Sequence, residues 1–216
     1  MFKPKEALLL SSICVDPITL ELVDADNKFE ENFKYIVINS RVIVPALIGE
    51  IFNAEDRELT ERYELVLKAL ATGNRTPSQI ANYVSNIMRK PTKSSDIRIY
   101  LYILIEMGLV RRYPLWKFNK YIYKIDSPFV DLYYFLDAKL GISEIWRPGK
   151  RMIRIAETKL PFYYEEFIVS LLAELYEGEI YKREEDEIDG IIINDESLVV
   201  EIKLGRIGLS DIIKFK

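Results

Sequence analysis

The chain has 216 residues, 49% apolar and 30% charged, which is enough to bury a core and is ordinary globular material. It contains no histidine and one cysteine, Cys14. That excludes a histidine general base, a Ser-His-Asp triad, an internal disulfide and a CxxC zinc site. The formal net charge is −4, and no apolar run approaches the ~20 residues that span a bilayer. The chain therefore reads as a cytoplasmic protein with no membrane partner.

In chain order, residues 1–54 are the hardest to read. The stretches "ITLELV" and "KYIVINSRVIV" are rich in β-branched residues, and Pro17 and Pro45 punctuate them, so a β-rich segment of unknown role is expected. Residues 55–73 predict a helix from Leu59, Tyr63, Val66, Leu67 and Leu70, with Gly73 as its stop. A second helix should open at Thr76-Pro77, with Thr76 as N-cap and Pro77 at the first helical position. A third should run from Ser94 or Ser95 to Met107. Strands are expected at Leu109–Tyr113 and Tyr121–Ile125, broken at Pro114. Another helix should follow Pro128 as far as Leu140, with an aromatic core face.

The order of three helices and a hairpin is that of a winged helix, so 55–140 is expected to be a winged-helix domain with an extra C-terminal helix. Residues 141–161, with Gly141, Pro148, Gly149 and Pro161, read as a linker that carries a second basic cluster. A helix is expected over Phe162–Tyr176. Strands should follow at Glu179–Arg183, Ile188–Asn194 and Leu198–Leu204, with a last helix beginning at Ser210. The acidic run 184–187 reads as a solvated turn. The fold class expected is α+β.

The net charge hides an uneven distribution. Residues 89–124 hold nine Lys/Arg against two Asp/Glu, a local +7, so the rest of the chain carries −11. Salt screens charges beyond ~10 Å, so a phosphate backbone responds to the local excess. In helix-turn-helix proteins the third helix enters the major groove and phosphate contacts fix its register. The candidate DNA contacts are Lys90, Lys93 and Arg98 at that helix, and Arg111, Arg112, Lys117, Lys120 and Lys124 on the hairpin, with Tyr100, Tyr102 and Trp116 as flat contacts.

A second constellation lies in "EIDGIIINDESLVVEIKLG". Glu201 and Lys203 are two apart, so on a strand they share one face, and Asp189 on the preceding strand can approach the same point. This has the form of a PD-(D/E)xK nuclease signature. Asp189 and Glu201 would form a hard oxygen site for Mg²⁺. The metal would activate a water, and Lys203 would orient that water or counter developing charge. Glu165 or Glu166 on the preceding helix could add a carboxylate. Catalytic candidates are thus Asp189, Glu201, Lys203 and Glu165.

The segments "YELVLKALATGNRTPSQIANYV", "YLYILIEMGLVRR", "YKIDSPFVDLYYFLD", "FYYEEFIVSLLAELY" and "EIDGIIINDESLVVEIKLG" together resemble the C-terminal region of certain archaeal P-loop ATPases. In that family a winged helix precedes a nuclease-like domain. The abundance of Ile, Tyr, Lys and Glu beside a single glutamine, Gln79, agrees with a heat-adapted source. The resemblance implies that Glu165 sits at the family's phenylalanine-glutamate helix position and that Asp189, Glu201 and Lys203 occupy the metal-site positions. It implies DNA as a partner, and an ATPase partner or self-association. No Walker A lysine loop is present, so ATP hydrolysis does not carry over. Only "LGRIGLSDIIKFK" follows the E-x-K stretch, so the nuclease-like domain over 162–216 is expected to be truncated and a weak DNA endonuclease at best. The competing expectation is a non-enzymatic DNA-binding regulator or protein-docking module with a degenerate nuclease-like part.

Overall fold

The structure, a computed structural model, describes residues 3–52, 57–145, 147–183 and 188–205. The expected turn at 184–187 and the helix expected from Ser210 lie outside the described residues. The fold class is α+β: mostly helical, with small antiparallel sheets.

The amino-terminal 54 residues correct the sequence reading. Where strands were expected, the described residues form α1 (Pro4–Ile13), α2 (Pro17–Leu20) and α3 (Phe29–Ile51). The reason is spacing. Phe33, Ile36, Val37, Ser40, Val44 and Ile48 are buried and recur at three- and four-residue steps, a helical face that outweighs β-branched propensity. Pro45 lies inside α3, where it costs one backbone hydrogen bond. Pro17 opens α2 at the first turn, where its missing N–H is harmless.

The next elements follow expectation closely. They are α4 (Arg57–Ala71), α5 (Pro77–Met88), α6 (Ser94–Glu106), β1 (Val110–Pro114), β2 (Tyr121–Ile125) and α7 (Pro128–Leu140). Each boundary has a physical cause. After α4, Gly73 takes φ +95°, and the Asn74 side chain donates to Ala69 O at 3.0 Å. At α5, Thr76 Oγ1 accepts from Gln79 N–H at 3.3 Å while Gln79 Oε1 accepts from Thr76 N–H at 3.0 Å, a reciprocal cap. At α7, Ser127 Oγ accepts from Val130 N–H at 3.2 Å and donates to Asp16 Oδ2 at 2.6 Å, which ties this cap to the start of α2.

The stretch read as a linker contains α8 (Lys150–Glu157), which packs on α7 and α3 and buries Met152 and Ala156. Residues 141–161 are therefore not an open connection. Pro148 and Gly149 precede α8, and Pro161 sits in the first turn of α9 (Leu160–Leu175). The carboxy-terminal sheet is β3 (Glu179–Tyr181), β4 (Gly190–Ile193) and β5 (Ser197–Val200), antiparallel in that order.

Two apolar cores share α9. The main core joins α1 and α3–α8 with Leu160 and Tyr163 at the start of α9. The small core packs Val169 and Ala173 of α9 against Ile192 and Val200. Close approach of β4 to α9 depends on Gly190: a Cβ there would lie 2.7 Å from Val169 Cγ1. Gly190→Val should therefore destabilise the chain by ~1–3 kcal/mol through overpacking, read as a lower midpoint in thermal unfolding. An unchanged midpoint would show that the sheet tolerates a wider spacing from α9.

Candidate nucleic-acid interface and carboxylate site

The cationic residues expected to meet DNA fall into two groups. Lys90, Lys93 and Arg98 are exposed at and before α6. Ser95, Arg98, Ile99, Tyr102 and Glu106 follow three- and four-residue steps, and all are exposed, so they form one outward stripe of α6. Ile99 and Tyr102 are 60% and 65% exposed, a large apolar offering on a surface helix.

On the hairpin the charges are partly committed. Arg111 makes a two-pronged contact with Asp126, Nε to Oδ1 at 2.8 Å and Nη2 to Oδ2 at 3.2 Å. The Arg112 guanidinium lies 4.9 Å from the centre of the Tyr121 ring. Lys117 adopts φ +64° in the turn, and Lys120 lies over Phe118 at 6.0 Å. Arg112, Lys117 and Lys120 remain exposed.

The hairpin does not project freely into solvent. Lys182 N–H donates to Pro114 O at 3.0 Å, and Trp116 N–H donates to Lys182 O at 2.8 Å. Trp116 and Tyr181 meet edge to face with centroids 5.6 Å apart. The tip of β1 is thereby joined to the residue that follows β3.

Lys182 is also the centre of an ionic cluster. Its side chain is 6% exposed. Its ammonium donates to Glu166 Oε1 at 2.6 Å and to Asp189 O at 2.5 Å. Lys124 of β2, expected on the DNA-facing hairpin, instead turns inward, with its side chain 21% exposed, and pairs with the same Glu166 oxygen. The ammonium groups of Lys124 and Lys182 both lie over the Tyr113 ring, at 5.8 and 5.4 Å. Burial alone would push Glu166 up, but the two lysines hold its carboxyl down at about 2. Burial lowers Lys124 to about 8 despite that partner, with Lys182 adding like-charge repulsion.

Of the residues expected to form a metal site, Asp189 immediately precedes β4 and Glu201 immediately follows β5, at the paired ends of the two strands, and the Glu201 charge bears on the Asp189 carboxyl. Asp189 N–H donates to Val200 O at 3.0 Å, and Asp189 Oδ2 accepts from Ile202 N–H at 2.5 Å. The expected strand 198–204 ends at Val200, so Glu201 and Lys203 stand just beyond β5. The Asp189 side chain takes the Ile202 N–H that a longer ladder would have used. Lys203 Nζ lies 3.4 Å from Glu201 Oε1. Burial, with Glu201 and Glu166 as further negative neighbours, raises Asp189 above its ordinary value. Burial and Asp189 together raise Glu165 to about 7.

Asp189 and Glu201 are the pair that could hold a divalent cation, with Glu165, whose carboxyl feels the Asp189 charge, as a third carboxylate. Their mutual repulsion is what a bound cation would relieve. Among the described residues, no three acidic side chains are gathered tightly enough to hold a metal ion. Lys182 was missed in the sequence. Its signal was phase, because it is two residues from the inward-facing Ile180.

A cleft of about 610 Å³ opens between α9, the root of the hairpin and the α4–α5 turn. Its lining includes Arg111–Asp126, Lys124–Glu166 and Lys159–Asp131, whose charges are satisfied by one another. The chain matches no protein-family model, no curated protein and no solved structure.

Two outcomes test the electrostatics. Glu166→Gln should cost ~3 kcal/mol, the low end for breaking a buried pair, because 27% of the Glu166 side chain remains exposed. Replacing Glu166, Lys124 and Lys182 together by Gln, Met and Met should recover much of that loss in urea unfolding. For Glu165 the sign is opposite. Its raised value favours the protonated folded form, so its contribution is present below the ordinary 4.5 and is lost as pH rises through about 7. Glu165→Gln should leave the thermal midpoint nearly unchanged below pH 4 and raise it clearly at pH 8. A midpoint unaltered at both would show that the carboxyl is not so crowded.

Proposed function

We propose that this chain is a DNA-binding protein in which a winged helix, α4–β2, presents duplex to an adjoining nuclease-like carboxylate site. The order of three helices and a hairpin supports the winged-helix part, as does the exposed stripe of α6 flanked by Lys90, Lys93 and Arg98. One observation carries the combined reading. The tip of β1 is paired to Lys182, whose ammonium touches the carbonyl of Asp189. A backbone held along the hairpin would lie near the carboxylates, not across a flexible linker.

In the nuclease-like part, Asp189 and Glu201 would hold a divalent cation, which would supply Lewis acidity toward a phosphodiester. The chain's own residues do the rest. Lys203, beside Glu201, faces an incoming phosphate with its ammonium. Glu165, near neutrality in its proton affinity, can hold a proton at pH 7. Lys182 fixes the backbone at Asp189.

The alternative is a non-catalytic DNA-binding or docking module. It is favoured by the absence, among the described residues, of three acids gathered at metal distance, and by the exposed Ile99 and Tyr102. Two measurements separate the readings. Replacing Lys90, Lys93 and Arg98 by Ala should weaken duplex binding and reduce its salt slope by roughly one unit per lost phosphate contact. An unaltered slope in that variant would overturn DNA contact through α6. Titration with Mg²⁺ or Mn²⁺ should raise the thermal midpoint of the wild type and not of Asp189→Ala. Supercoiled, linear and branched DNA incubated with the metal should be nicked slowly, and not by Asp189→Ala. Metal-independent stability and intact DNA would leave the binding module alone.

A further inference from the structure

A second cationic surface lies on α8, apart from α6 and the hairpin. Arg147, Lys150, Arg151 and Arg154 are all exposed. Their spacing of three, four and seven residues places Lys150, Arg151 and Arg154 on one face of the helix, with Arg147 leading into it. None of the four has an ion-pair partner among the described residues. The acids nearby include Glu157, which follows on the same stripe, Glu144, three residues before Arg147, and Glu30, which lines the groove between α3 and α8 beside Lys34.

Folding does not account for these charges. α8 has no acidic residue in its first turn and instead carries Lys150 and Arg151 there, where the helix dipole disfavours cations. Three of the four lie within two turns of one another, at a cost in mutual repulsion. The stripe also opposes the sign of the whole chain, which is −4. The other side of α8 is already used: Met152 and Ala156 are buried against α7 and α3. The helix therefore has no apolar face left to enter a bilayer, which separates it from an amphipathic membrane anchor. A rigid helix presenting unpaired Arg and Lys at regular steps suits a regular row of phosphates.

We infer that the α8 stripe of Arg147, Lys150, Arg151 and Arg154 is a second contact surface for the phosphate backbone of nucleic acid. It extends the DNA-binding reading, but its residues are separate from those of α6, so the two can fail independently. The test measures binding of the full chain to a duplex of about 40 base pairs across a salt series. The variants are a fourfold Ala variant of the α8 stripe, a milder Arg151→Gln/Arg154→Gln variant that preserves helix propensity, and the α6 variant described above. The fourfold variant should lower the salt slope by about three units and the double Gln variant by about one to two. Circular dichroism of both should match the wild type. A slope unchanged in the double Gln variant would overturn the proposal, even if the fourfold variant fails to fold. Loss of slope in the α8 variants alone would sustain this surface while removing α6 as the DNA contact. Unchanged DNA binding with lost binding to phosphatidylserine vesicles would overturn it in favour of an anionic membrane surface.

Discussion

One carboxylate oxygen, Oε1 of Glu166, gathers the parts of this molecule. It receives the ammonium of Lys124 from the hairpin and that of Lys182 from the end of β3. Neither lysine could leave water without it, since an uncompensated buried ammonium costs several kcal/mol. The network adds little net stability, because desolvation consumes most of the Coulomb gain. What it gives is position. Apolar contacts between Tyr113, Leu115, Ile122 and Ile180 would let the hairpin slide along the sheet. A shared oxygen and the two backbone bonds between Lys182 and the β1 tip do not.

α9 transmits that constraint in both directions. Its first turns belong to the main core, where Tyr163 donates to Asp131 at 2.7 Å and Lys159 pairs with the same carboxylate at 2.6 Å. Its later turns carry Val169 and Ala173 into the small core. Glu165 and Glu166 fall at the crossover. A displacement of α7 would be felt through Asp131 by α9, and through Glu166 by the hairpin and Lys182. Gly190 completes the linkage by letting β4 lie hard against Val169, and the charge of the adjacent Asp189 bears on Glu165.

The helices from Arg57 to Leu140 were legible because each combined a helical period with a local terminus: Gly73, the Thr76–Gln79 cap, and Ser127-Pro128. The first 54 residues were misread because β-branched composition was given more weight than spacing. The buried set from Phe33 to Ile48 was periodic all along, and Pro45 was taken for punctuation when it lies inside α3. The glycines and prolines of 141–161 suggested an open linker, yet they flank α8 and start α9. At the carboxylates, strand alternation pointed to Asp189, Glu201 and Lys203, but β5 ends at Val200, so Glu201 and Lys203 lie beyond the alternation that pointed to them. Alternation could not reveal Lys182, since a lone lysine is ordinarily solvent-facing. Nor could it tell which of the adjacent Glu165 and Glu166 would face the lysines, because neighbours on a helix point about 100° apart.

Sorting the cations by partner explains how an acidic chain can present basic surfaces. Lys68, Arg111, Lys124, Lys159 and Lys182 each meet a carboxylate, on Asp137, Asp126, Glu166, Asp131 and Glu166. These pairs join elements and contribute little field at a distance. The exposed cations around α6, at the hairpin tip and on α8 are the ones a phosphate could feel. Residues 155–216, with seven Lys/Arg against fifteen Asp/Glu, repel it. On the proposed reading, a duplex would be drawn to α6 and the hairpin and would meet rising negative potential toward Asp189 and Glu201. The hairpin tip therefore matters more than its few charges suggest. It is fastened to Lys182, so on that reading backbone held there would be carried against the gradient by geometry, and a divalent cation or Lys203 would need to neutralise only the last step.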